Sequence, residues 1–228
     1  MTGDAALDAA PEAVLFDLDD TLCAYCRPGR DLLAEAFASV GVEPFFDVEE
    51  YYRRYDEFAA EATGVDAIRA RCFATLAAER GRDPATGRAV AAAYAAERDH
   101  ANVRPLPGVP GVVRGLRADG YRVGLVTNGP PSIQRTKLDA LGLDGAFDAT
   151  VFAGHEAAPK PDPEPFDLAL DRLGTDPARA VHVGNAPGAD VRGAAEAGLG
   201  AVLVGDGPAP AADLRLPSVA ALDPPPWE

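Results

Sequence analysis

The sequence predicts an α/β protein: a doubly wound, parallel, Rossmann-like sheet with an α-helical domain inserted in it. Three observations lead there. Short apolar runs of strand length alternate with helical segments that stop at glycine, the mark of βαβ units. The first such run is followed by a long stretch with helical periodicity and no convincing strand. Each strand candidate then ends in polar residues able to do chemistry, as strands of an open α/β sheet do at their carboxyl ends.

The elements follow in order. Residues 13–17 form an apolar run ending at Asp17. From 23 to 102 the rhythm changes. Leu32, Leu33, Ala36, Phe37 and Val40 make one apolar helical stripe. Asp47 and Glu50 have capping-box spacing and open a helix to residue 61. A third helix covers 65–79, and Asp83 followed by Pro84 starts a fourth, running to about residue 99. Tyr51, Tyr52, Tyr55 and Phe58 are read mostly as core of this helical domain, with one or two left to face substrate. Strands are expected at 121–126, 149–152, 180–183 and 201–204. Helices at 109–119, 132–141, 163–173 and 189–197 are closed by Gly120, Gly142, Gly174 and Gly198. A short edge strand is placed at 218–222, in a Pro-rich tail of loose coil. The division is a core of 11–22 and 103–228, a helical insert of 23–102 and a flexible segment of 1–10.

Composition narrows the function. The chain has 228 residues, 47% of them hydrophobic, enough for a packed core. Its net charge is −15, and only two of its 21 basic residues are lysines, Lys137 and Lys160. So acidic a chain repels polyphosphate backbones and anionic surfaces, which argues against nucleic-acid and membrane partners. The acid, Ala and Arg bias with almost no Lys resembles the proteome of an extreme halophile; a GC-rich genome is the plainer source of the same bias. No apolar run reaches the length of a membrane span. The first residues carry Asp4 and Asp8 and no basic residue, unlike a signal or transit peptide. A cytoplasmic monomer or homodimer is expected. Cys23 and Cys26 have C-x-x-C spacing, but no second ligand pair exists, so they and Cys72 read as reduced thiols.

The strand ends carry the chemistry. The first supplies Asp17, Asp19 and Thr21, the second Thr127, Asn128 and Gly129. Lys160 follows the third strand, and Asn185 with Asp190 follows the fourth. Asp17 and Asp19, at i and i+2, leave an extended strand on one face. Two carboxylates so close repel unless a cation lies between them or one is protonated. One can act as nucleophile and the other as general acid and base. Lysine and threonine suit phosphoryl oxygens, and main-chain N–H groups at Asn128 and Gly129 would suit an anion. Asn185 and Asp190 are oxygen ligands for a hard cation such as Mg²⁺. Taken singly, each motif has a plainer reading: D-x-D as a turn or cap, Thr-Asn-Gly as a turn, Lys160 as a loop charge. Their order and their placement after successive strands defeat those readings. Asp20 reads as a turn former, His182 as a core imidazole, His155 as a loop residue near the site and His100 as the end of the last inserted helix.

With those residues in view, the sequence resembles the haloacid dehalogenase superfamily of hydrolases. Asp17 to Leu22, DLDDTL, matches its D-x-D-x-T motif; Thr127-Asn128-Gly129, Lys160 and Gly184 to Asp190 match the other three in order. The resemblance implies that Asp17 is a nucleophile forming an aspartyl-phosphate. It implies that Asp19 protonates the leaving oxygen and then activates water. Thr127 and Lys160 would bind phosphate and orient Asp17. Mg²⁺ would be held by Asp17, the Asp19 main-chain carbonyl and the fourth motif, Asn185 and Asp190. The insert would be the family's small helical cap. Asn185 stands where phosphatases of the group usually have Asp, and true haloacid dehalogenases also have Asn there. Those dehalogenases lack the second Asp of the first motif, so Asp19 favours phosphoryl chemistry. The expectation is a Mg²⁺-dependent phosphatase of a small phosphorylated metabolite. The alternatives are a 2-haloacid dehalogenase-type hydrolase, or a non-catalytic relative that binds a phosphometabolite or a partner.

Overall fold

A computed structural model describes residues 10–59 and 64–227. Most of the expected N-terminal segment, and the expected end of the second helix at residue 61, lie outside those residues. The chain forms two compact units, Met1–Ala24 with Val103–Glu228, and Tyr25–Asn102.

The first unit is built on strands β1 (Ala13–Phe16), β4 (Arg122–Asn128), β5 (Ala149–Ala153), β6 (Ala180–Gly184), β7 (Gly200–Val204) and β8 (Leu214–Leu216), in the order β5-β4-β1-β6-β7-β8. Every pairing in it is parallel. All four residues of β1 are fully buried, so a continuous apolar run marks this strand where alternation would mark a half-exposed one. Val14 and Phe16 pack on one face with α5 (Gly111–Ala118) and α6 (Pro131–Leu141) through Val113, Leu116 and Leu138. Ala13 and Leu15 pack on the other with α7 (Glu164–Leu173) through Phe166 and Leu170. Burying each such large side chain stabilises by about 1.5–3 kcal/mol. The winding reverses at β1, which lies between β4 and β6. The carboxyl edge beside β1 is therefore the topological switch point where such sheets bind ligands.

Three local expectations need correction. Residues 218–222 are not a strand. Val219 and Leu222 are both buried at i, i+3 spacing in a 3₁₀ turn, and the edge strand is β8 instead. The stretch after residue 23 does hold a strand. Cys23–Tyr25 (β2) pairs with Val103–Pro105 (β3), a pairing too short and too distant in sequence to leave a periodic signal. Here Leu106 N–H donates to the Leu22 carbonyl at 2.9 Å, so the chain returns to the point it left. Residues 189–197 are not one α-helix. A π-helical turn over Pro187–Arg192 leads into a short α8 (Gly193–Glu196), and such widened turns recur at functional sites.

The second unit holds α1 (Gly29–Val40), α2 (Val48–Ala59), α3 (Val65–Glu79) and α4 (Pro84–Glu97). Its core is aromatic: Phe37, Phe46, Tyr51, Phe73 and Tyr94 are buried, with Phe46 and Phe73 edge to face at 4.6 Å. Asp47 Oδ1 accepts the Glu50 N–H at 2.7 Å and Asp83 Oδ1 the Ala85 N–H at 2.8 Å, so both N-caps form, while the Glu50 carboxylate accepts from Arg80 Nη2 at 2.6 and 2.8 Å instead of closing a capping box. Of the four aromatic residues read mostly as core, Tyr51 is buried, Tyr55 and Phe58 pack against the core, and Tyr52 is 53% exposed. Gly87 lets α4 approach α3 closely: a Cβ there would lie 2.2 Å from the Phe73 carbonyl oxygen. All three cysteines are free, Cys23 and Cys72 buried and Cys26 exposed. No helix among the described residues is long and apolar enough to cross a membrane.

Candidate active site

At the end of β1, Asp17 is buried and its N–H donates to the Val183 carbonyl at 3.0 Å, continuing the sheet register with β6. Its Oδ1 accepts from Lys160 Nζ at 2.8 Å and its Oδ2 from the Thr21 hydroxyl at 3.2 Å. The same hydroxyl lies 3.2 Å from Asn185 Oδ1, which brings the first and fourth motifs together. Asp20 takes φ 59°, a left-handed turn that sends the chain away after Asp19.

Lys160 reaches Asp17 from the loop after β5. Its main chain is held by Asn128, whose Oδ1 accepts the Lys160 N–H at 2.9 Å and whose Nδ2 donates to the Lys160 carbonyl at 3.1 Å. Asn128 thus positions the lysine. The Gly129 N–H donates to the Ala153 carbonyl at 3.2 Å, so it is engaged within the fold. Lys160 Nζ also donates to the Val126 carbonyl at 2.7 Å and to Asp190 Oδ1 at 2.6 Å. Asp190 sits on the π turn, and its Oδ2 accepts the Ala186 N–H at 2.9 Å. Gly184 makes room for it, since a Cβ there would lie 2.3 Å from the Asp190 carboxyl carbon.

Charge in this cluster is unbalanced: one ammonium faces two buried carboxylates. Burial alone would raise Asp190, but Lys160 and the His182 hydrogen bond outweigh it and hold that carboxyl well below its usual range. Asp17 is pushed up to about 7, by burial first and by the Asp190 charge, against the pull of Lys160. Burial opposes the charge of Lys160 too, yet its two carboxylates raise it.

The surplus negative charge and the hard oxygens of Asp17 and Asn185 fit a divalent cation. Among the described residues, no three His, Cys, Asp or Glu side chains form a metal cluster. Any cation here would lean on the Asn185 amide and main-chain oxygen as well. Both Asp190 oxygens are already hydrogen-bonded by the protein, which makes Asp190 the partner of Lys160 before it is a ligand.

Asp19 has different company. Lys137 Nζ donates to both its oxygens, at 2.6 and 2.8 Å, and Gln134 Nε2 to Oδ2 at 3.0 Å. Thr127 is buried beside them, its Oγ1 2.8 Å from Gln134 Nε2. Reading motifs alone missed Gln134 and Lys137. One signal was available: the only two lysines of so acidic a chain both end in this cluster. His182 is buried as expected, yet it also reaches Asp190 Oδ1 at 3.2 Å. His155 is exposed in the turn after β5. His100 meets the Tyr25 hydroxyl at 2.7 Å.

Fold and site together define a doubly wound α/β hydrolase with a carboxylate–lysine centre at its switch point. The profile of the haloacid dehalogenase-like hydrolases matches residues 11–198, and the chain belongs to that family. It is 35% identical over 193 residues to a glyceraldehyde 3-phosphate phosphatase of Methanopyrus kandleri, covering 82% of this chain and 81% of that one. It is 32% identical over 237 residues to a phosphoserine phosphatase of Thermus thermophilus, covering 89% and 94%. Its fold is also similar to the solved 2-haloacid dehalogenase of Pseudomonas syringae, with a TM-score of 0.62, 28% identity and coverage of 94% and 97%.

Proposed function

We propose that this hydrolase is a phosphatase of a small phosphorylated metabolite, with Asp17 as nucleophile and Asp19 as general acid and base. The observation that carries the reading is the separate seating of the two carboxylates. Asp17 is buried against Lys160, while Asp19 is partly exposed and held from α6. That division suits two duties. An Asp17 oxygen attacks phosphorus, the bond to the ester oxygen breaks, and that oxygen takes a proton from Asp19. Asp19 then removes a proton from water, which attacks the same phosphorus, breaks its bond to Asp17 and frees phosphate. Lys160 offsets charge on the phosphoryl oxygens. Mg²⁺, held by Asp17, Asn185 and the Asp19 main-chain carbonyl, would supply further charge stabilisation there. Thr127 contributes by holding Gln134, and Asn128 by holding Lys160.

The relatives' names supply the substrate class. We read Tyr25–Asn102 as a cap that selects among such substrates, and the acidic surface as suited to a salt-rich cytoplasm without nucleic-acid or membrane partners. Asn185 favours a second reading, carbon–halogen hydrolysis, but that reaction leaves Asp19 without a duty.

Hydrolysis of p-nitrophenyl phosphate in high salt tests the proposal. Turnover should need Mg²⁺ and vanish in Asp17→Asn, which is nearly isosteric but cannot attack. Chloride release from 2-chloropropionate in EDTA, without ester hydrolysis, would establish the second reading instead. Neither reaction on any tested substrate would leave a binding protein.

A further inference from the structure

The grip on Asp19 comes from one face of one helix. Gln134 and Lys137 are three residues apart on α6, so their side chains project together. They are 1% and 3% exposed, whereas the Asp19 side chain is 39% exposed. Burying a lysine costs free energy unless it is paired. A buried pair taken alone is also a weak source of stability.

Gln134 shows the same bias toward placement. Its Nε2 faces Asp19 Oδ2, Thr127 Oγ1 and the Asn128 carbonyl at 3.0, 2.8 and 2.9 Å. Its buried Oε1 has no hydrogen-bond partner among the described residues. Turning the amide over would set that oxygen against a carboxylate and a carbonyl, so the orientation is fixed by chemistry. A buried amide oxygen without a partner is unfavourable. An unsatisfied group of this kind calls for a reason beyond packing.

We propose that Gln134 and Lys137 are positioning residues for Asp19. They set the direction of its carboxylate, and through it the proton transfer to the leaving oxygen. The inference rests on the phosphatase reading of Asp19. Both oxygens are held, so the carboxylate has one aim, and misplacement by about 1 Å can cost on the order of 10²-fold in rate.

Lys137→Met and Gln134→Met keep side-chain volume and remove the donors. The quantity to measure is kcat/KM for an alkyl phosphate divided by kcat/KM for p-nitrophenyl phosphate. The ratio is independent of how much of the variant is folded, and only the alkyl ester needs a well-aimed acid. It should fall about 10–10²-fold in each variant, with inhibition by inorganic phosphate little changed. In an Asp19→Asn background the same substitutions should leave the ratio where Asp19→Asn alone puts it. An unchanged ratio in either variant removes that residue from the role. An equal fall in the Asp19→Asn background overturns the proposal for both. A native enzyme that hydrolyses neither ester fails the phosphatase reading itself, which is a distinct result.

Discussion

One ammonium between two buried carboxylates leaves Asp17 as the group that bears the imbalance. Its carboxyl is raised from 3.8 to about 7, chiefly by burial. Between those values the folded chain holds a proton that the unfolded chain has lost, so stability falls as pH rises through the interval. Asp17→Asn has no such charge to bury. In EDTA its melting temperature should exceed that of the native chain at pH 8, and by less at pH 5; an equal difference at both would place the imbalance elsewhere. Asn185 poses the complementary question. Its Oδ1 shares the Thr21 hydroxyl with Asp17, so Asn185→Asp adds a charge where negative charge is already in excess. Without metal that variant should melt lower. With Mg²⁺ it should reach half-maximal activity at a lower concentration, by roughly 5–150-fold for about 1–3 kcal/mol of added attraction. An unchanged Mg²⁺ dependence would remove Asn185 as a ligand.

At the scale of elements, a close main-chain approach constrains α3 and α4. Helix propensity alone favours Gly87→Ala by about 1 kcal/mol. The added Cβ would lie 2.2 Å from a main-chain oxygen that cannot swing aside, and overpacking of this kind costs about 1–3 kcal/mol. The clash should win: the urea midpoint of the helical unit should drop with its m-value unchanged. A rise would mean that the two helices separate readily. Elements with local signatures were legible in sequence. The glycines that stop α6 and α7 sit in left-handed conformations at Gly142 and Gly174. Elements defined by a distant partner were not legible: β2 exists because β3 lies beside it, and the widened turn around Asp190 answers to Gly184 and Lys160. Among the motif residues, Asp17 and Asp190 each accept a hydrogen bond from Lys160. Gln134 and Lys137 escaped notice because nothing local distinguishes a helical Gln or Lys bound to Asp19 from one in solvent.

For the molecule as a whole, the parallel sheet joins distant stretches of chain: β1 pairs with β4 and β6, which follow it only after the helical unit has been made. The hydrogen bond from Leu106 to Leu22 closes that detour. Seen from the sheet, the whole intervening polypeptide is a single loop whose two ends touch. The entropy of closing a loop grows only with the logarithm of its length, roughly 0.6 kcal/mol per doubling. The intervening segment can therefore lengthen, shorten or be exchanged over generations while the strand register that presents Asp17 stays the same. If that segment is the cap proposed above, substrate choice and bond-breaking chemistry can then diverge along separate lines within one continuous gene product.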